Sequence, residues 1–204
     1  MPDDIYDLVC LVADADADRF LKAIISRGIE RECIAPIRWK IVIDPMKDNM
    51  VVRRADSTLR AFARDPHPRI VVLWDHDGSG RETEDPAAVE ASVVALVTRT
   101  GIPAENILAL AAVPEFEAIL GPVWSNVARH IGHPRPARQP AVEFDVNDPK
   151  GSLMNVARNA SVRWGPRIFH ALGDRLSIPD LKQSAIGRRF ADRLEAWFPG
   201  ARHS

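Results

Sequence analysis

Residues 71–82 read VVLWDHDGSGRE, an apolar run that stops at Asp75-His76-Asp77 and passes directly into a loop carrying Gly78 and Gly80. Ile70 to Trp74 contains no polar residue and consists mostly of strand formers, the pattern of a strand buried on both faces. Strands of that kind belong to parallel sheets covered by helices, so the neighbouring segments are expected to alternate strand with helix. They do. Residues 5–13 (IYDLVCLVA) form another short apolar run, and 15–28 switch to helical spacing through Phe20, Leu21, Ile24 and Ile25. WKIVI (39–43) predicts a second strand, followed by a helix over 49–64. After the loop, Asp85-Pro86 reads as an N-cap with proline at the first helical position, opening a helix over 86–101 closed by Gly101. NILALAAV (106–113) is a further buried strand.

The first 113 residues therefore predict an α/β fold with a parallel sheet. Residues 114–132 are expected to be helical with a break at Gly121-Pro122. Residues 133–149 hold four of the chain's 16 prolines and read as a loop or lid. From 150 to 198 the pattern is helical, and Ile186, Phe190, Leu194 and Trp197 share one face of a last helix rich in arginine. The expected organisation is an α/β domain over 1–132, with the proline-rich loop and a helical extension over 133–204 packed on it.

Composition narrows the function classes. A 204-residue chain with 46% hydrophobic residues can bury a real core. The formal net charge of −1 excludes a strong whole-molecule field, but the charge is unevenly spread. Residues 1–110 carry 19 acids and 14 bases, and residues 111–204 carry 9 acids and 13 bases. Cys10 and Cys33 lie in apolar surroundings without metal-ligand spacing and read as free buried thiols, which suits a cytoplasmic location. The acidic start lacks a signal peptide's basic region, and no apolar run approaches a membrane span of about 18 residues.

In an open α/β sheet, ligands bind at the carboxyl ends of the strands. Asp75 and Asp77 follow the third strand, Asp14, Asp16 and Asp18 follow the first, and Glu115 and Glu117 follow the fourth. If the first and third strands are neighbours, these acids converge. Clustered carboxylates repel one another unless they protonate or a cation neutralises them. An oxygen-only donor set favours Mg²⁺ or Mn²⁺ over zinc. Each acid also has a simpler reading: Asp and Gly build solvated turns, and acids at a helix start cap amides and suit the dipole. Lys150, in NDPKGS, is either a phosphate- or oxyanion-stabilising cation or a solvated lysine at a helix start. The six histidines form no ligand pattern, and His76 is expected to point away from the two aspartates. An EF-hand loop opening at Asp75 fails because position twelve is Pro86. No Gly-x-Ser-x-Gly elbow, Walker loop or CxxC is present.

An apolar strand, an acidic turn and RFLKAII, then two units later VVLWDHDGSG, resembles the Toprim domain of topoisomerases, primases and OLD-type nucleases. AVPEFEAIL, DPKGSL and the tail IGRRFADRLEAWF are similar to the small Toprim-like proteins of the DUF4276 and RloB-like group, linked to bacterial defence against phage. The resemblance covers most of the chain. It implies a Rossmann-like Toprim fold with a helical C-terminal extension and a Mg²⁺- or Mn²⁺-dependent nuclease acting on nucleic acid, DNA first, in the cytoplasm.

By resemblance Asp75 and Asp77 match the metal ligands, Glu115 and Glu117 match the Glu-x-Glu after the fourth strand, and Lys150 matches the lysine of the Asp-Pro-Lys turn. The chain departs from the pattern at Ala13, where the family carries a glutamate acting as general acid/base, and at Ile119, where it carries a tryptophan. Asp14 or Asp16 is then the substitute, with Asp14 expected to serve both as ligand and in catalysis with Asp75, Asp77, Glu117 and Lys150. Arg135, Arg138, Arg163, Arg167, Arg188 and Arg189 are expected to contact phosphates. Two alternatives remain: a catalytically impaired Toprim-like subunit that binds nucleic acid or partner proteins in a defence system, and a phosphatase of the haloacid-dehalogenase type, whose opening motif Asp75-x-Asp77-Gly-Ser resembles.

Overall fold

A computed structural model describes residues 5–131 and 142–201. Four short apolar runs become the strands β1 (Leu8–Val12), β2 (Trp39–Ile43), β3 (Arg69–Asp75) and β4 (Ile107–Ala112). They form one sheet in the order β2-β1-β3-β4, every pair parallel. The α/β expectation with a Rossmann-like parallel sheet is met. The connecting helices are α1 (Ala15–Glu30), α2 (Lys47–Leu59) and α3 (Pro86–Thr98).

Side chains alternate across the pleat, and both faces are buried. Leu8, Cys10, Val12, Val71, Leu73, Leu108 and Leu110 face one core with α1, while Val9, Leu11, Ile70, Val72, Trp74 and Ala109 face the other with α2 and α3. The division follows from topology. The chain moves outward from β1 to β2 and then back past β1 to β3, so crossovers of a single hand put α1 on one face and α2 and α3 on the opposite one. The reversal leaves a crevice at the carboxyl ends of β1 and β3, where chain direction diverges.

The remainder is helical, as expected. Phe116–Val123 is a 3₁₀ segment, tighter than the expected α-helix, with Pro122 inside it, and the α-form begins only at α4 (Trp124–Ile131). α5 (Pro149–Asn159), α6 (Pro166–Gly173), α7 (Ile178–Leu181) and α8 (Ala185–Trp197) follow. Leu153, Phe169, Leu172, Phe190 and Leu194 join the core on the α1 face, so the helical tail and the sheet share one apolar interior. Ile186 and Trp197 pack on it partly buried, on the face that the spacing predicted. Of the loop or lid expected over 133–149, residues up to 141 lie outside the described residues. Phe144 stacks on Trp124 with ring centroids 5.1 Å apart, and Trp124 Nε1 donates to Val142 O at 2.9 Å.

β4 is an edge strand, and its outer backbone groups are covered by charge. Glu90 of α3 accepts from Ala111 N–H at 2.9 Å, and Arg189 of α8 grips the same carboxylate at 2.9 and 2.6 Å. Covering an edge in this way stops it pairing with another strand. Both cysteines are free, but only Cys10 is buried; Cys33 is half-buried at the end of the α1 unit, contrary to the expectation of two buried thiols. Among the described residues, no helix is long and apolar enough to cross a membrane.

Candidate carboxylate site at the carboxyl edge of the sheet

β1 and β3 are neighbours, so the condition for the acids to converge holds. Asp75 ends β3, and its Oδ1 accepts the Phe116 N–H at 2.7 Å, which ties the strand to the turn after β4. Its own N–H donates to Asp48 Oδ1 at 2.8 Å, which brings the start of α2 to the same place. Asp14 caps α1, one oxygen accepting from Asp16 N–H at 3.0 Å and Ala17 N–H at 2.9 Å. Glu117, in the first turn after β4, is only 3% exposed, and Lys150 Nζ stands 3.9 Å from its Oε1. Lys150 is held there because α5 starts beside it, with Asp148 accepting the Gly151 N–H at 2.9 Å as the cap.

These charges act on one another. Burial, then the charges of Asp48 and Glu117, pushes the Asp75 carboxyl up to about 8, against the Phe116 N–H, which favours the ionised form. Burial likewise lifts Glu117 to about 7, with Lys150 opposing and Glu115 and Asp14 adding to the rise. Asp16 rises to about 6 through burial and the Asp14 charge. Asp48 is also raised, burial again first. Lys150 is held above its usual range by Glu117, Glu115, Asp75 and Asp14, which outweigh its own desolvation. The result is an electrostatically strained group of acids around Lys150.

No family model, curated protein or solved structure matches this chain. What the site does is therefore read from its own residues.

The site differs from the expected ligand set in its membership. Asp14, Asp75, Glu115, Glu117 and Lys150 come together. Asp77 does not: it is exposed, its N–H is bonded to Pro114 O at 3.0 Å, and its charge is not among those acting on Asp75. The pleat explains this, because residues 75 and 77 stop being strand neighbours once the loop turns at His76. Asp18 is itself buried but is drawn away into a pair with the partly exposed Lys22 at 2.7 Å, a contact along one helix rather than a site.

Asp48 is the member that sequence reading missed. Its signal in the sequence is an acid after the β2 strand, in the first turn of the following helix. Asp44, nearer that strand, instead closes its own turn by accepting the Met46 N–H at 2.9 Å. His76 is 4% exposed, with Nδ1 unpartnered among the described residues. Of the six arginines expected to contact phosphate, Arg189 is committed to Glu90, and Arg135 and Arg138 lie outside the described residues. Arg163, Arg167 and Arg188 are exposed.

Among the described residues, no three His, Cys, Asp or Glu side chains stand at the spacing of a closed metal site. The donor chemistry nevertheless suits a hard divalent cation: only carboxylate oxygens, from four separate elements, facing one another without enough positive charge to balance them. Ala13, at the position where the resemblance puts a glutamate, is 7% exposed on the α2 face of the sheet beside Trp74. Asp48 begins the helix that covers that face.

Proposed function

We propose that the protein is a Toprim-like, Mg²⁺- or Mn²⁺-dependent nuclease that hydrolyses phosphodiesters, and that by the same resemblance it serves bacterial defence against phage, with DNA as the first substrate to test. The observation that supports this reading best is the meeting of Asp14, Asp48, Asp75 and Glu117 with Lys150 at the crevice between β1 and β3. Asp75, Asp48, Asp14 and Glu117 would hold the cation. When bound, the cation supplies an activated water and charge neutralisation at the leaving oxygen. The chain's own contributions are positional. Phe116 N–H fixes Asp75, the Asp75 N–H fixes Asp48, and Lys150 offers a positive charge to a phosphoryl oxygen while steadying Glu117.

A second reading is supported by Ala13: with no carboxylate at that position, the domain would bind nucleic acid or a protein partner without cutting. The experiment is incubation of the purified protein with plasmid, single-stranded DNA and RNA under Mg²⁺ or Mn²⁺, beside Asp75→Asn. Cleavage that falls at least about 100-fold in the variant is expected, the loss produced by removing a principal transition-state electrostatic contact. No cleavage of any of the three substrates with either metal would exclude the nuclease reading and leave the binding one.

A further inference from the structure

The loop that follows Asp75 contains a small anion receptor already filled by the protein itself. Gly78 and Gly80 both lie in the left-handed region, at φ 91° and 74°, and their N–H groups turn toward a single point. Both donate to one oxygen, Glu82 Oε1, at 3.0 and 2.8 Å. Converging backbone N–H groups of this kind form a concave site for an anion. The Glu82 carboxyl is held below its usual range by its own N–H first and then those of Gly80 and Gly78, as expected of an anion seated in such a site. Yet Glu82 is exposed, so its carboxylate can leave for water at little cost.

Helix α2 lines the same loop with donors. A methyl group placed on Gly80 would stand 2.6 Å from Asn49 Nδ2 and 3.6 Å from Arg53 Nη2, so both side chains lie against the glycine backbone. Arg53 is exposed and makes no ion pair among the described residues. A methyl group on Gly78 would stand 4.0 Å from Asp48 Oδ2, which puts the receptor directly beside the carboxylate site. His76, 4% exposed and with Nδ1 unpartnered among the described residues, belongs to the same loop, its carbonyl accepting the Ser79 N–H at 3.2 Å. Two backbone donors therefore hold the Glu82 carboxylate oxygen, with an amide and a guanidinium against the backbone of one of the two glycines.

We propose that the Gly78–Gly80 loop, with Asn49 and Arg53, is a phosphate-binding cradle that Glu82 occupies until a phosphate group displaces it. A phosphate oxygen accepts the same two N–H bonds as Glu82 Oε1 does, and the Arg53 guanidinium against the Gly80 backbone has the planar fork that suits its other oxygens. The ligand class is a phosphate group, free or as one link of a phosphodiester. The cradle's place beside Asp48 rests on the nuclease reading for its purpose, since a phosphate seated there lies next to the acids that would act on it. Glu82 then excludes adventitious anions from the site when no substrate is present.

The test is amide NMR of the ¹⁵N-labelled protein, titrated without divalent metal with inorganic phosphate in one arm and a dinucleotide carrying one phosphodiester in the other. Saturable shifts of the Gly78 and Gly80 amides are expected. Glu82→Ala lowers the half-saturating concentration about tenfold, as for a site open roughly a tenth of the time, and Glu82→Gln lowers it by less. Adding Arg53→Ala to Glu82→Ala weakens binding about tenfold again. The arm that saturates first identifies a free phosphate or a diester as the preferred ligand. If neither Glu82 variant shows saturable shifts while its spectrum remains folded, or if Arg53→Ala changes nothing, the cradle is excluded. Shifts without cleavage under Mg²⁺ would keep the cradle and remove the nuclease reading. Cleavage without shifts would do the opposite.

Discussion

Two buried glutamates flank β4, and they are treated in opposite ways. Glu90, at the strand's open edge, receives both guanidinium nitrogens of Arg189 and the Ala111 N–H, so its charge is matched and each oxygen has a donor. Glu117, past the strand's carboxyl end, receives one lysine at 3.9 Å and faces Glu115 and Asp14, with Asp75 close by. A charge buried for the sake of the fold is expected to be paired, because an unpaired one costs several kcal/mol. The first glutamate conforms. The second belongs to a group that lowers the stability of the free protein, and such groups gather where a ligand supplies the missing charge.

Breaking the matched side gives the largest stability effect. Glu90→Ala leaves the Ala111 N–H buried without an acceptor and frees Arg189, and is expected to cost about 3 kcal/mol in urea unfolding. A loss below about 0.5 kcal/mol would show that the edge pair is ornamental.

Neutralising the unmatched side should act in the other direction. Asp75→Asn keeps the acceptor for Phe116 N–H and removes the charge, so it should gain on the order of 2 kcal/mol at pH 8. The sign follows from proton binding. Between pH 4 and 8 the folded protein keeps a proton on Asp75, raised to about 8, that the unfolded chain has lost, so stability falls as pH rises through that window. Glu117, at about 7, and Asp16, at about 6, add to the same slope. Wild-type protein should therefore unfold at lower urea at pH 8 than at pH 5, and the difference should shrink in Asp75→Asn. A stability that rises from pH 5 to 8 would contradict the strained cluster.

Lys150→Ala removes the cation that faces Glu117 and should cost about 1 kcal/mol at pH 8, discounted because the lysine is partly exposed, with the loss fading near pH 6 as Glu117 takes up a proton. Asp77→Asn should change stability by less than about 0.5 kcal/mol at any pH, since the side chain is exposed and stands outside the cluster. An Asp77 effect as large as that of Asp75 would restore the Asp-x-Asp pair as the unit of function.

The order of strands and helices was legible because each strand is a short, mostly apolar run and α1 and α3 carry their own caps, Asp14 and Asp85. The convergence of acids was legible too, since in a parallel sheet every strand delivers its carboxyl end to one edge. What could not be read was selection among the acids. Asp77 lies two residues from Asp75 in a motif, but the turn at His76 directs it elsewhere, while Asp48 lies 27 residues away and is joined to Asp75 by a hydrogen bond that only the fold creates. The same limit applies to Arg189, which has the spacing of a phosphate contact and the partner of a structural residue. Glu82 shows the converse: a charged loop residue that looks solvated from sequence is seated on two glycine amides because both glycines adopt positive φ.

The most direct test of the carboxylate edge as a cation site is calorimetric titration of Mn²⁺ into the wild-type protein and into Asp75→Asn at pH 8. Saturable binding to the wild type, with release of protons as the raised carboxyls are neutralised by metal instead, is the expected result, together with its loss in Asp75→Asn. Absence of Mn²⁺ binding to the wild type, or equal binding by the variant, would contradict it.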